Sequence, residues 1–145
     1  MDIRNFSKAD LHLCVDLFIS VFNQEPWNDE WSREYAEQYL NDYIKASGFR
    51  GYIAEDAAGI KGFIVGVRKK WWSGDEFFIN EMCVDTTCQR SGVGTQLINY
   101  LQENMKSEGI DRITLLTNRG IAAEQFYKKN GFIEIERLIF MNKEL

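Results

Sequence analysis

Between Cys83 and Leu97 the chain passes from one periodicity to another across two glycines, and that join limits the folds open to it. Phe77, Ile79, Glu81 and Cys83 alternate with Phe78, Asn80, Met82 and Val84, the period of two that a strand requires. Val93, Leu97, Ile98, Leu101 and Met105 then recur at three- and four-residue steps, the stripe of an amphipathic helix. Gly92 and Gly94 lack a Cβ, so the backbone between strand and helix can take positive φ and an anion can approach the main chain. Successive N–H groups there, with the unpaired donors of the first helical turn, form a concavity suited to phosphate or pyrophosphate. Two glycines shaping a turn with no ligand would read the same way.

Two nucleotide-binding loops can be excluded. A Walker A loop needs Lys-Ser/Thr after its second glycine, and Thr95-Gln96 stands there. A dinucleotide fingerprint needs a third small residue three positions beyond Gly94, and that position is Leu97.

The 145 residues, 45% hydrophobic, suffice for one domain with a real core, so residues 1–145 are read as one unit. A net charge of −5 without a block of basic residues gives a nucleic-acid partner no support and suits a cationic substrate better. No apolar run approaches the roughly 18 residues of a membrane span, and the first residues lack the pattern of a signal peptide, so a cytoplasmic protein is expected. Cys14, Cys83 and Cys88 show no C-x-x-C spacing, and His12 is the only histidine. No disulfide framework, metal site or Cys-His pair is expected.

In chain order, Ile3 to Phe6 reads as a strand, and Ser7 with Asp10 as a helix start ahead of the stripe Leu11, Cys14, Leu17, Phe18, Val21 and Phe22. Pro26 sits in a loop, and a second helix is expected from about Trp31 to Ala46. Phe49 to Asp56 and Ile60 to Lys70 alternate as a hairpin around Ala57-Ala-Gly59. Trp71 to Asp75 turns into the strand carrying Glu81. Beyond the glycine-loop helix, Gly109 is a stop and Arg112 to Thr117 a strand, which makes a parallel crossover. Asn118-Arg-Gly120 opens a further helix bearing Ile121, Ala122, Ala123, Phe126 and Tyr127, Asn130-Gly131 closes it, and Arg137 to Asn142 is expected as a last strand.

Two runs carry a family likeness. Gln89-Arg-Ser-Gly-Val-Gly94, after Glu81-Met-Cys-Val-Asp85, resembles the acyl-CoA pyrophosphate loop of the GNAT superfamily of N-acetyltransferases. Ala123-Glu-Gln-Phe-Tyr-Lys-Lys-Asn-Gly-Phe132 resembles a second segment of the same family, at the expected separation. The resemblance implies an α/β fold of the acyl-CoA N-acyltransferase type: a mixed, mostly antiparallel central sheet with helices on both faces. It implies acetyl-CoA as co-substrate and transfer to a primary amine of a small acceptor by direct attack. The loop at Glu25-Pro-Trp-Asn28, the Glu-x-x-Val strand and the acidic chain look similar to aminoglycoside N-acetyltransferases. Polyamines, a protein N-terminus or lysine, and a non-catalytic acyl-CoA-binding module stay open, as does a homodimer.

By the same resemblance the cofactor contacts fall on Met82, Cys83 and Val84, which would pair with the pantetheine arm as an added strand does. They continue through Gln89, Arg90, Ser91, Gly92, Val93, Gly94 and Thr95 for the pyrophosphate, and to Asn118 and Phe126. Asn118 reads equally as a helix N-cap. Tyr127 is the expected acid toward the departing thiolate, against a core tyrosine bonded to backbone. Glu81, on a face shared with Phe77, Ile79 and Cys83, is an unpaired carboxylate whose burial would raise its pKa and make it a base. A salt-bridged or ammonium-holding Glu81 is the alternative. Trp27 and Trp31 are either core anchors or acceptor walls, and Trp72 either lies over the acceptor side or only caps the sheet.

Overall fold

The computed structural model describes residues 1–145. Strand β1 (Asp2–Asn5) leads through a tight helical turn into α1 (Leu11–Phe22), followed by α2 (Arg33–Ile44). Strands β2 (Phe49–Asp56), β3 (Gly59–Lys69) and β4 (Glu76–Val84) precede α3 (Val93–Ser107), β5 (Arg112–Thr114) and α4 (Ala122–Lys129). The five strands form one sheet in the order β1-β2-β3-β4-β5, antiparallel up to β4 and parallel between β4 and β5. This is the mixed, mostly antiparallel α/β architecture expected of the sequence. No helix is long and apolar enough to cross a membrane.

Each face of the sheet has its own core. On one, Cys14, Val15, Leu17, Phe18 and Val21 of α1 and Ala36 and Leu40 of α2 cover Ile53, Phe63, Val65 and Cys83. On the other, Val93, Leu97, Ile98, Leu101 and Met105, the stripe read from the sequence, cover Tyr52, Ile64, Phe77 and Ile79. The first connection is pinned electrostatically. Arg4 donates to both carboxylate oxygens of buried Asp10, at 2.8 and 2.9 Å, and to Glu55 on β2 at 2.7 Å. Asp10 also accepts from the Ser7 backbone at 2.7 Å, so the buried charge is fully engaged. Ser32 caps α2 by accepting from the Tyr35 N–H at 3.1 Å, which starts that helix two residues later than its aromatic spacing suggests.

Strand β4 departs from the alternation read in the sequence. Val65 pairs with Glu81 and the next residue, Gly66, with Ile79, so Asn80 is an extra residue bulged out of the ladder. One extra residue inverts the parity of a strand. Phe77 and Ile79 therefore face α3, whereas Cys83 faces α1 and Glu81 reaches Tyr39 of α2. The expectation that Phe77, Ile79, Glu81 and Cys83 share a face is overturned by this bulge.

Three other expectations are corrected. Strand β5 stops at Thr114 and does not run to Thr117. The N-cap position of α4 is Ile121, and the Gly120 N–H donates to Glu124 at 2.8 Å, so Asn118 caps nothing. Residues 137–142 form no strand: they pair with nothing, and their apolar side chains stand exposed.

The bulge yields a prediction. A methyl group on Gly66 would lie 2.6 Å from the Phe77 ring and collide with the Phe78 carbonyl, both on β4. Gly66→Ala should cost roughly 2–3 kcal/mol in urea unfolding, the scale of overpacking a rigid core. Wild-type stability in that variant would mean that β4 yields without strain at the bulge.

Candidate active site

β4 and β5 pair only through Glu76–Arg112, Phe77–Ile113 and Phe78–Thr114. Arg112 fixes that end, donating to Glu76 at 2.8 Å and to the Ser73 hydroxyl and Gly74 carbonyl of the preceding turn. Beyond Phe78 the strands part. A cavity of about 390 Å³ occupies the region between them, bounded by Ile79 to Met82, by Leu115 to Asn118 and by Tyr127 of α4. On the α1 side its wall is aromatic: Phe18, Phe22, Trp27 and Trp31. The cavity thus joins the two faces of the sheet, and a donor arriving from one face can meet an acceptor arriving from the other.

Trp27 and Trp31 turn out to be anchors and walls at once. Trp31 packs edge-on against Phe18 at 5.1 Å and Trp27 against Phe22 at 5.2 Å, while both line the cavity. Trp72 does neither. It is 89% exposed, in the turn before β4, at the end of that strand opposite the opening. The acceptor-wall reading of Trp72 is therefore corrected.

Glu81 points into the cavity, and no basic side chain pairs with it. Its Oε1 accepts a hydrogen bond from the Tyr39 hydroxyl at 2.5 Å. Burial pushes the carboxyl up to about 7, against the lowering effect of the Tyr39 bond and with a small contribution from the charge of Asp29. That displacement corresponds to roughly 3 kcal/mol against the charged form. Such a group changes protonation near neutral pH, as a general base must. Tyr39 was visible in the sequence only as one of several aromatic positions on α2; nothing there linked it to a residue 42 positions away.

Tyr127 lines the same cavity, its ring held edge-on between Phe126 at 5.2 Å and Phe132 at 5.6 Å. Its hydroxyl has no hydrogen-bond partner in the protein, unlike a core tyrosine tied to backbone. Burial, then the nearby charge of Glu81, pushes its pKa up, so it keeps its proton at any physiological pH. Asn80, absent from the sequence-based site, lines the cavity beside Glu81, and its buried Oδ1 has no partner. The bulge brings it there.

The glycine loop has the features an anion needs. Arg90 and Gly92 both adopt the left-handed region, with φ of 67° and 91°, turning successive N–H groups the same way. Neither Gln89, Arg90, Gly92 nor the first-turn residues Val93, Gly94 and Thr95 donates a backbone bond within the protein, whereas Ser91 donates to Cys88 and Gln96 to Gly92. The space beside Gly92 is open. Gly94 has a different task. A Cβ there would lie 2.9 Å from the Phe126 ring and 3.1 Å from the end of Met82, so its smallness lets α3 close against α4 and β4. Cys83 turns its side chain into the core on the α1 side, Val84 packs against the core on the α3 side, and the Val84 carbonyl accepts from the Gln89 side chain at 3.1 Å.

The sequence pattern of the acetyltransferase (GNAT) domain matches residues 47–134. No curated protein matches the sequence. Among solved structures, a possible acetyltransferase from Clostridium difficile 630 superposes with a TM-score of 0.84 at 16% identity, over 99% of this chain and 97% of that one. An aminoglycoside acetyltransferase from an uncultured soil metagenomic sample, in complex with sisomicin, gives a TM-score of 0.77 at 19% identity over 99% and 95% of the two chains. AAC(6')-Iy, in complex with the bisubstrate analog CoA-S-monomethyl-acetylneamine, gives 0.77 at 21% identity over 99% and 98%. The matched segment holds the glycine loop, both strands that flank the opening and the helix bearing Tyr127, and on that ground the chain belongs to the GNAT family, as an acyl-CoA-dependent acetyltransferase with acetyl-CoA as co-substrate.

Proposed function

We propose that this acetyltransferase acts on a primary amine of a small cationic acceptor, and that the acceptor enters from the α1–α2 side of the sheet. The observation that carries this is Glu81: a half-buried carboxylate with no cationic partner, between an aromatic wall and a tyrosine with a free hydroxyl. An ammonium group is the partner such a carboxylate lacks, and aromatic faces such as those of Trp27 and Trp31 attract cations as well. Asp29, on the same cavity wall, adds a second negative group, and the chain as a whole carries −5. The aminoglycoside ligand in one similar structure and the neamine-based analog in another support this class of acceptor.

The geometry supports the following residue roles. The free N–H groups of Gln89, Arg90 and Gly92 to Thr95 hold the pyrophosphate, Ser91 lies beside them in the same loop, and Arg90 adds its charge. The backbone of Met82 and Cys83, on the side of β4 that loses β5 beyond Phe78, pairs with the pantetheine arm, with Val84, Asn118 and Phe126 around it. The bound thioester supplies an activated acyl carbon and a thiolate leaving group. Glu81 first anchors the ammonium and then removes its proton, directly or through a water, so that the neutral amine can attack. Tyr127 donates its proton as charge develops on the departing sulfur.

Three measurements test these roles. Ser91 is exposed and its hydroxyl bonds only the Cys88 carbonyl of its own loop, so Ser91→Glu places an anion among the cradle donors without disturbing the core. Calorimetry should show acetyl-CoA affinity falling about tenfold or more, with the melting temperature unchanged; unaltered affinity would move the pyrophosphate elsewhere. The second measurement is a pH profile. Wild-type kcat/KM should rise with an apparent pKa near 7. Glu81→Gln should abolish that limb, and Tyr39→Phe, which removes a bond that lowers the carboxyl, should move the limb to higher pH. An unshifted profile in both variants would eliminate Glu81 as base and leave it as an anchor. Third, Tyr127→Phe should lower kcat by about 100-fold or more while acetyl-CoA binding is kept, the range of general acid catalysis. Near-normal turnover with a chemistry-limited acceptor would assign the proton to water.

A further inference from the structure

Asn80 stands in a strand against its propensity, as a bulged residue, and its side chain bonds to nothing in the protein. Its Oδ1 is closed off from solvent without a hydrogen-bond donor, the single buried side-chain atom so placed. A buried carbonyl in that state destabilises a fold, and folded chains hold very few of them. A leucine of nearly the same shape would carry no such penalty. The position is also particular. Asn80 lies two residues beyond Phe78, the last residue of β4 paired to β5, next to Glu81 and on the wall of the same cavity.

We propose that the Asn80 side-chain carbonyl accepts a hydrogen bond from the acceptor's nitrogen and thereby selects primary over N-methylated amines. This rests on the reading of Glu81 as the group that holds the acceptor's ammonium. Of the groups the reaction brings to this depth, only that nitrogen has hydrogens to donate. The acetyl thioester has none, and the pantetheine amides run along Met82 and Cys83, two residues or more up the strand and thus roughly 7 Å away. Because no bond holds the Asn80 amide, it turns at little cost. A half-turn about Cβ–Cγ exchanges one unpartnered end for the other, and the oxygen gains the substrate's N–H. A primary ammonium has three N–H directions. One serves the Glu81 carboxylate, one becomes the lone pair that must face the acyl carbon, and the third is left for Asn80. A methyl group on the nitrogen must take one of the three, and the chemistry requires the first two. The methyl then meets the Asn80 carbonyl and leaves it unpaired, the circumstance in which a hydrogen-bonding site rejects an analogue most strongly.

Release of CoA thiol from acetyl-CoA tests this with matched acceptors: butane-1,4-diamine and neamine, each beside a counterpart bearing one methyl group on every nitrogen. Wild type should favour the unmethylated form by about 100-fold or more in kcat/KM. Asn80→Leu should lower kcat/KM for the unmethylated acceptor by about 10- to 100-fold and leave the methylated one nearly unchanged, so that the preference falls below about tenfold. It should melt no lower than wild type, because no bond within the protein is lost. Asn80→Ala, which only trims the cavity wall, should show the same collapse of preference and keeps the test decisive should the leucine disturb the bulge. Asn80→Asp retains an acceptor oxygen and should retain the preference, measured at a pH well above the wild-type limb. An unchanged preference in both Asn80→Leu and Asn80→Ala overturns this inference and leaves the small-amine reading standing. Variants that melt lower and slow both forms of acceptor alike overturn it too, since that is the mark of a structural asparagine. A wild type that binds acetyl-CoA but transfers to neither unmethylated acceptor overturns the small-amine reading, and this inference with it.

Discussion

Three residue pairs hold β4 to β5, and everything that makes this sheet a site depends on there being no fourth. Arg112 locks the paired end by reaching both Glu76 and the turn before it, so the strands cannot slide to extend their ladder. The Asn80 bulge sits just past the last pair and bends β4 away, as an unmatched residue does by raising the local twist. Backbone groups that would be satisfied in a continuous sheet are left facing a gap. In water such an edge is a liability, and in this protein it lies inside a cavity where a linear amide-bearing ligand can serve as the missing strand.

The same bulge decides where the carboxylate goes. Without it Glu81 would project on the α3 side among Phe77 and Ile79. With it, Glu81 projects toward α2, into contact with Tyr39 and into the aromatic pocket of α1 and the Pro26 loop. Burial holds Glu81 near its titration point, and a single hydroxyl tempers the effect. The two cores then divide the labour. The core under α3 carries the glycine loop, and the core under α1 and α2 backs the aromatic wall of the cavity. The family pattern begins at residue 47, so α1 and the loop bearing Trp27 and Trp31, which form that wall, lie outside it.

Much of this was legible in the sequence, and the failures share a cause. The strand-loop-helix join at the glycines and the α3 stripe depend on local spacing and stand where the sequence places them, and the family pattern spans both motifs through Phe132. The bulge was not, because Phe-Phe-Ile-Asn-Glu-Met-Cys-Val alternates without interruption and carries no glycine or proline of its own. Its signature lay on the neighbouring strand: Gly66, in the interior of β3, marks the close approach of another backbone. Tyr39 and Trp72 show the same limit in opposite senses. Both are aromatics at unremarkable positions, and only the third dimension places one 2.5 Å from the carboxylate and the other at the far end of the strand. The stretch 137–142 was read as a strand on propensity alone, and propensity is blind to whether a partner is within reach.

The fit of Phe126 into the space left by Gly94 has a consequence for how these positions can change. Phe126 immediately precedes Tyr127 on α4, and its ring occupies the volume that any side chain at 94 would claim. A random library built across the two positions should therefore return paired solutions, alanine at 94 accompanied by a smaller residue at 126, with few survivors off that diagonal. Because position 94 lies in the glycine loop and 126 adjoins Tyr127, a sequence drifting through such pairs would shift that loop and the Tyr127 ring together. These two positions are thus inherited as one unit, despite lying about thirty residues apart in the chain.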